Sequence, residues 1–167
     1  NGFNISCSGG NDGNISMTGV NGGTAPLSYY WNTGDSTSSI TGVPAGNYTL
    51  TVTDINGCST SDSLTLNQPT LLTSNASATS NYNGTNISCN GAMDGSIQVS
   101  SAGGVAPYTF LWNTSDTSTT LSNLGAGTYN AVVTDANGCT TIDTVSLNEP
   151  SVFTLSAGIQ SNYNGYN

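Results

Sequence analysis

Polar and apolar residues alternate in short runs along the chain, and the clearest run occurs twice. Tyr48, Leu50 and Val52 alternate with Asn47, Thr49, Thr51 and Thr53, and Tyr129, Ala131 and Val133 repeat the alternation later. A period of two places every second side chain on one face, so each run predicts a strand with one buried face. Each run then meets an Asn-Gly pair, Asn56-Gly57 or Asn137-Gly138, followed by Cys58 or Cys139. Both residues of such a pair tolerate the positive φ of a type I′ turn, whose twist matches that of paired strands. The pair therefore predicts a hairpin, with the cysteine opening the returning strand.

The flanking segments carry the same kind of signal. Residues 4–7 and 15–20, and again 86–89 and 97–101, read as short strands joined through Asp12-Gly13 and Asp94-Gly95, after which Gly22-Gly23 and Gly103-Gly104 break the chain. Beyond Pro26 and Pro107, large apolar groups fall at every second position, at Leu27, Tyr29 and Trp31 and at Tyr108, Phe110 and Trp112, which assigns them to a core face. Strands near Ile40 and Leu121, and returning strands carrying Leu64 and Leu66 or Val145 and Leu147, complete each set. Six or seven short strands with frequent turn residues and no helical period predict an all-β chain, built as two tandem immunoglobulin-like β-sandwich domains.

Counting makes the duplication quantitative. Cys7 and Cys89 lie 82 apart, as do Asp12 and Asp94, whereas Trp31 and Trp112, Tyr48 and Tyr129, Cys58 and Cys139, and Pro69 and Pro150 lie 81 apart. One residue has been lost between Ile97 and Gly103. The motif Asn81-Tyr82-Asn83-Gly84 returns as Asn162-Tyr163-Asn164-Gly165, so the expected units are 1–81, 82–162 and the start of a third at 163–167. A period of about 80 is too long for one solenoid coil and suits one small β domain per repeat. With no initiator Met and a motif resuming at its end, the chain reads as a window from a longer polymer of repeats. The connection is expected to be ordered β-structure: Phe153, Leu155, Ala157 and Ile159 alternate with polar residues, and Leu72, Ser74, Ala76 and Ala78 keep a weaker version.

Charge narrows the possible functions. The chain has no lysine, arginine or histidine, and nine carboxylates give a formal charge of −9. Phosphate neutralisation needs cations, so a nucleic-acid partner is excluded in expectation. Serine-histidine and cysteine-histidine catalysis, lysine Schiff bases, Walker loops and histidine metal sites go with it, and no enzyme is expected. No apolar run approaches the ~20 residues of a membrane helix. The four cysteines allow three pairings. The repeat favours Cys7 with Cys58 and Cys89 with Cys139, one disulfide stapling each domain, over four free thiols. Each would stabilise its domain by roughly 4 kcal/mol in the chain-entropy model and would imply an oxidising, extracytoplasmic setting.

Several motifs together resemble the SprB repeat. In the second copy these are Asn86-Ile87-Ser88-Cys89, Asp94-Gly95-Ser96-Ile97, Gly103-Gly104-Val105-Ala106-Pro107-Tyr108, Leu111-Trp112, Gly125-Ala126-Gly127-Thr128-Tyr129 and the run from Val133 to Cys139. The first copy matches through Asn4-Ile5-Ser6-Cys7, Asp12-Gly13, Gly22-Gly23-Thr24-Ala25-Pro26, Trp31 and residues 45–58. Leu27 stands where an aromatic residue is usual, and Ser115 where the first copy has Gly34. The resemblance implies a long tandem array on the surface of Bacteroidota, exported by the type IX secretion system and used in adhesion and gliding motility.

Three candidate sites remain. Asp54-x-Asn56-Gly57 and Asp135-x-Asn137-Gly138 resemble part of a calcium loop but lack its later bidentate Glu, and a hydrogen-bonded turn is the alternative. Ser36, Ser63 and Thr144 each follow an aspartate, in a pattern resembling Asp-Ser/Thr-apolar O-glycosylation acceptors. Exposed tyrosines such as Tyr82 and Tyr163 could stack on sugars or pack a neighbouring domain. The expected function is a structural and adhesive unit of an extracellular array, with neighbouring repeats, further copies in a filament or surface glycans as partners. The alternative is a carbohydrate-binding module.

Overall fold

The computed structural model describes residues 2–158, so the start of a third repeat at 163–167, Tyr163 included, lies outside the described residues. Among the described residues the chain is all-β, with eleven strands and no helix. The first copy supplies β1 (Gly13–Ser16), β2 (Ser28–Trp31), β3 (Ser39–Val43), β4 (Gly46–Thr53) and β5 (Ser59–Leu66). After β6 (Thr73–Ala78) the second copy supplies β7 (Gly95–Ala102), β8 (Thr109–Trp112), β9 (Thr120–Leu124), β10 (Gly127–Thr134) and β11 (Thr140–Leu147). Four antiparallel sheets result, ordered β1-β3, β2-β4-β5, β6-β7-β9 and β11-β10-β8.

The alternation that predicts the strands also builds the cores. Tyr48, Leu50 and Val52 are buried on β4, and they join Trp31, Ile15, Ile40, Ile5 and Leu66 in one cluster drawn from two sheets. A second cluster gathers Ile87, Ile97, Val99, Trp112, Leu121, Ala131, Val133, Val145 and Leu147. Each tryptophan is held at both ends of its side chain. Its rings are buried, while the Trp31 indole N–H donates to the Thr37 carbonyl at 2.8 Å and that of Trp112 to Ser118 at 2.9 Å. Tyr29, Leu27, Phe110 and Tyr108 pack on the cluster margins, on the face assigned to them, while Tyr30 and Leu111 point outward.

Two local expectations change. Residues 4–7 form no strand; instead the Asn4 and Ile5 N–H groups both donate to the Asn67 carbonyl, which seats Ile5 in the core beside Leu66. The hairpins are not two-residue type I′ turns. Five residues separate β4 from β5, Gly57 alone in that loop has positive φ (85°), and the Asp54 side chain organises the turn; Gly138 (φ 84°) and Asp135 do the same in the second copy. An aspartate that captures the amides two and four residues ahead favours this longer turn over an Asn-Gly corner. Ser115 adopts φ 71° where Gly34 adopts 95°, a left-handed conformation that glycine takes at lower cost.

The disulfide expectation is corrected outright. Cys7 is bonded to Cys139, 132 residues away with Cα atoms 5.8 Å apart, while Cys58 and Cys89 are free and exposed. The reason lies in the length of the returning strand. Cys7 sits near the end of β5, because Gly9 N–H donates to the Gln68 side chain at 2.8 Å, whereas Cys58 immediately precedes β5. Eight residues at roughly 3.3 Å each separate the two ends by about 26 Å, far beyond the ~7 Å that a disulfide can bridge. Cys89 and Cys139 flank β11 in the same way, since Gly91 N–H donates to Glu149 at 2.7 Å.

β6 shows why opposite ends meet. By sequence it belongs to the first copy, yet it pairs along its whole length with β7, from Thr73↔Ala102 to Ala78↔Ile97. The hydrogen-bonded unit is therefore out of phase with the sequence repeat. The connecting segment 73–78 is strand, as its alternation predicts, and it brings the end of the first copy against the turn of the second, whereas 151–158, with the stronger alternation, is outside any strand.

Candidate functional site

The joint between the copies is the most elaborated feature of the molecule. β6 lies between β7 and β11, and its outer edge is held by side chains of β11: Ala76 N–H donates to Asp143 Oδ2 at 2.7 Å, and the Ser74 and Thr141 hydroxyls are 3.5 Å apart. Beneath it Val145 is only 9% exposed. The chain entering β6 runs along the glycine pair of the second copy. Gly104 N–H donates to the Thr70 carbonyl at 2.9 Å, and any Cβ at Gly103 would run into the Leu71 carbonyl, so backbone meets backbone here. The Cys7–Cys139 bond and a 2.7 Å hydrogen bond from the Asn137 amide to the Ser6 carbonyl complete the joint. Sequence reasoning passed over Asp143 and Asn137 in these roles, although Asp143 and Asp62 sit at the repeat spacing of 81.

The turn aspartates support the joint from below. Asp135 Oδ1 accepts the Asn137 and Cys139 N–H groups and Oδ2 accepts Val105 N–H, each at 2.9 Å. Asp54 makes the same set, with Asn56 and Cys58 at 2.9 Å and Thr24 at 3.1 Å. Each carboxylate thus ties a hairpin turn to the glycine-rich loop. Burial pushes the Asp135 pKa up, but the backbone N–H groups of Val105, Cys139 and Asn137 outweigh it and leave the carboxyl below its ordinary value. The Thr24 N–H first, then Cys58 and Asn56, lowers Asp54 likewise. In this geometry Asp54 with Asn56, and Asp135 with Asn137, form a hydrogen-bonded turn. N–H groups surround the carboxylate oxygens, and the Asn137 amide is turned toward Ser6. Among the described residues no three Asp, Glu, Cys or His side chains gather as metal ligands would.

Ser36, Ser63 and Thr144 are all exposed and lie apart from one another. Ser36 follows β2 in a loop; Ser63 on β5 and Thr144 on β11 occupy matching positions of the two returning strands. The Thr144 hydroxyl donates to the Asn130 side chain at 2.9 Å. Tyr82 is 41% exposed, with its hydroxyl 3.3 Å from the Asp94 carbonyl it donates to.

The first copy has a counterpart of the joint's receiving side, although β1 ends at Ser16, short of the 15–20 expected for it, where β7 runs on to Ala102. Between β1 and β5 runs an open groove of about 420 Å³ lined by Ile15, Met17, Asp62 and Leu64, among others. It continues past Val20, Val52 and Thr60 into a pocket of about 180 Å³ that ends at Gly23, Asp54 and Cys58. Leu64, the counterpart of Val145, is 39% exposed.

The SprB repeat family model matches residues 4–36 and 81–117, one segment in each copy. Among curated proteins nothing matches the chain. Of solved structures, the C-terminal 282-residue fragment of intimin, in complex with the translocated intimin receptor intimin-binding domain, is similar at 13% identity with a TM-score of 0.39. That match covers 72% of this chain and 51% of the other, so this chain spans about half the length of that fragment.

Proposed function

Starting from a chain with two SprB-repeat segments, we propose that it is a structural and adhesive, non-catalytic unit of a long extracellular surface protein. The observation that carries this reading is the joint. One copy ends as a strand in the sheet of the next, and a disulfide crosses the same junction. Tension along such a chain is opposed by a ladder of backbone hydrogen bonds and by a covalent bond, which suits a stalk exposed to shear outside the cell. Each copy is read as a small immunoglobulin-like sandwich. Supporting that reading, both copies bury one tryptophan, and the hydroxyls of Tyr48 and Tyr129 bond back to the Pro44 and Gly125 carbonyls at 2.7 and 2.9 Å, as in a tyrosine corner. Export by the type IX system and a part in gliding belong to the same proposal, supported by the two segments that match the SprB repeat model.

Attachment is the direct test. Beads coated with the chain should adhere to a glass or cell surface under flow, and antibody to the chain should label intact cells of the source organism. Coated beads that hold no better than bare ones, together with unlabelled cells, would overturn the proposal. A single strong hit on a glycan array would favour the carbohydrate-binding alternative.

A further inference from the structure

We propose that the open groove of the first copy is an acceptor for residues 151–158 of a second copy of this two-repeat unit, so that units join head to tail through the same joint that links the two copies within one unit. The inference deepens the stalk reading above and rests on it only for its biological setting.

The internal joint supplies the template. β6 fills the groove of the second copy, and shifting its sequence by the repeat spacing of 81 gives the segment starting at Thr154. That segment is exposed and outside any strand, with Phe153 at 96% and Leu155 at 88% exposure, although its alternation is stronger than that of β6. The acceptor side is equally unfinished. Asp62 stands where Asp143 accepts the Ala76 N–H, so it is placed to receive the N–H of Ala157. Every residue of β5 except Leu66 is exposed, whereas β11 under β6 buries Val145 and half-buries Thr141 and Asp143. The glycine pair points the same way. Gly103 has the incoming Leu71 backbone against it, while Gly22 has nothing within 4 Å. The donor segment carries no charge, so it adds no repulsion against Asp62.

The cysteines carry the inference independently. In the internal joint the first cysteine of one copy is bonded to the second cysteine of the next. Moving Cys7 forward by 82 gives Cys89, and moving Cys139 back by 81 gives Cys58, the two thiols that are free and exposed. Docking of the donor strand brings Cys89 of the donor to Cys58 of the acceptor, beside the mouth of the groove. With a small-molecule disulfide such as oxidised glutathione as oxidant, the Cys89 thiolate attacks one sulfur and releases one glutathione. The Cys58 thiolate then attacks the Cys89 sulfur of the mixed disulfide and releases the other. Two electrons pass to glutathione and two thiol protons leave with it.

The test uses the intact chain at rising concentration in a glutathione redox buffer, followed by light scattering, non-reducing gels and peptide mapping. The expected result is a ladder of oligomers whose new crosslink is Cys58–Cys89 between molecules. Cys58→Ser should remove the covalent ladder. Asp62→Ala, at an exposed residue, should leave monomer melting unchanged and weaken association about tenfold or more, the usual effect of losing a hydrogen bond to a charged group. A peptide of residues 151–158 should compete. A monomer at several hundred micromolar with both thiols free, symmetric Cys58–Cys58 or Cys89–Cys89 links, or a Cys58–Cys89 bond within one molecule would each overturn the proposal. Bead attachment is scored separately, so loss of association and loss of adhesion are distinguishable.

Discussion

Breaking the Cys7–Cys139 bond is the perturbation whose size follows most directly from the structure. The bond closes 132 residues and crosses from one core to the other. If both cores unfold together, the chain-entropy relation gives about 5 kcal/mol at 25 °C. If only the second core unfolds, the closed loop runs from the first core to Cys139, roughly 70 residues, and the value is still about 4 kcal/mol. The logarithm makes the two cases nearly equal, so the prediction does not depend on which applies. For a cooperative unit of about 150 residues each kcal/mol moves Tm by about 2–4 °C, which makes the expected loss about 10–20 °C. The assay is calorimetry of a Cys58→Ser, Cys89→Ser background, where no other disulfide can form, with and without dithiothreitol. Cys139→Ser should reproduce reduction, and Cys58→Ser alone should leave Tm nearly unchanged. An intact Tm after reduction, or an equal loss from Cys58→Ser, would refute the joint as described.

Two further outcomes follow from the same geometry. Val145→Ala should cost about 1.5–3 kcal/mol in chemical denaturation, because Val145 is 9% exposed beneath β6, while Leu64→Ala at the matching position, 39% exposed, should cost about 1 kcal/mol or less; equal costs would contradict the open groove. Stability should be flat from about pH 8 to 5, since the chain has no histidine, and should fall below about pH 4. The carboxyls of Asp12, Asp54, Asp94 and Asp135 are depressed in the folded state, so their stabilisation is present above the unfolded value and is lost as pH falls through the lowered folded values. A Tm that rises on acidification would mean that relief of the −9 charge outweighs these local contacts.

The strands were legible because their signal is local. A period of two in Tyr48-x-Leu50-x-Val52 needs no knowledge of what lies opposite, and the same holds for Leu27, Tyr29 and Trp31. The disulfide was not legible, because pairing depends on which ends of a strand two cysteines occupy. Cys7 and Cys58 are matched in order along the chain but stand at opposite ends of β5. β6 was half legible. Its alternation announced a strand, yet nothing local states that Ala76 and Ala78 pack on the second core while their sequence counts with the first. The Asn-Gly signal misdirected for a related reason: Asp54 and Asp135, two residues earlier, compete for the same amides and win.

The absence of cations gives these aspartates a larger part than solubility. With no lysine, arginine or histidine, no side chain can neutralise a carboxylate, so each of the nine must find its partners among N–H and O–H groups. All nine do. Asp12 and Asp94 hold the Ser6 and Ser88 amides at 3.2 Å, Asp35 and Asp116 accept the Thr33 and Thr114 hydroxyls at 2.7 and 2.8 Å, and Glu149 clasps Asn90 and Gly91. Asp54 and Asp135 lock the turns, while Asp62 and Asp143 accept the next residue's N–H at 2.8 Å. Asp143 alone among these also reaches a strand from the other copy. A fold tied by N–H to carboxylate contacts is directional at short range and weakly dependent on salt, unlike one tied by surface ion pairs. The contacts that hold the joint thus leave the net charge of −9, and its long-range repulsion, intact.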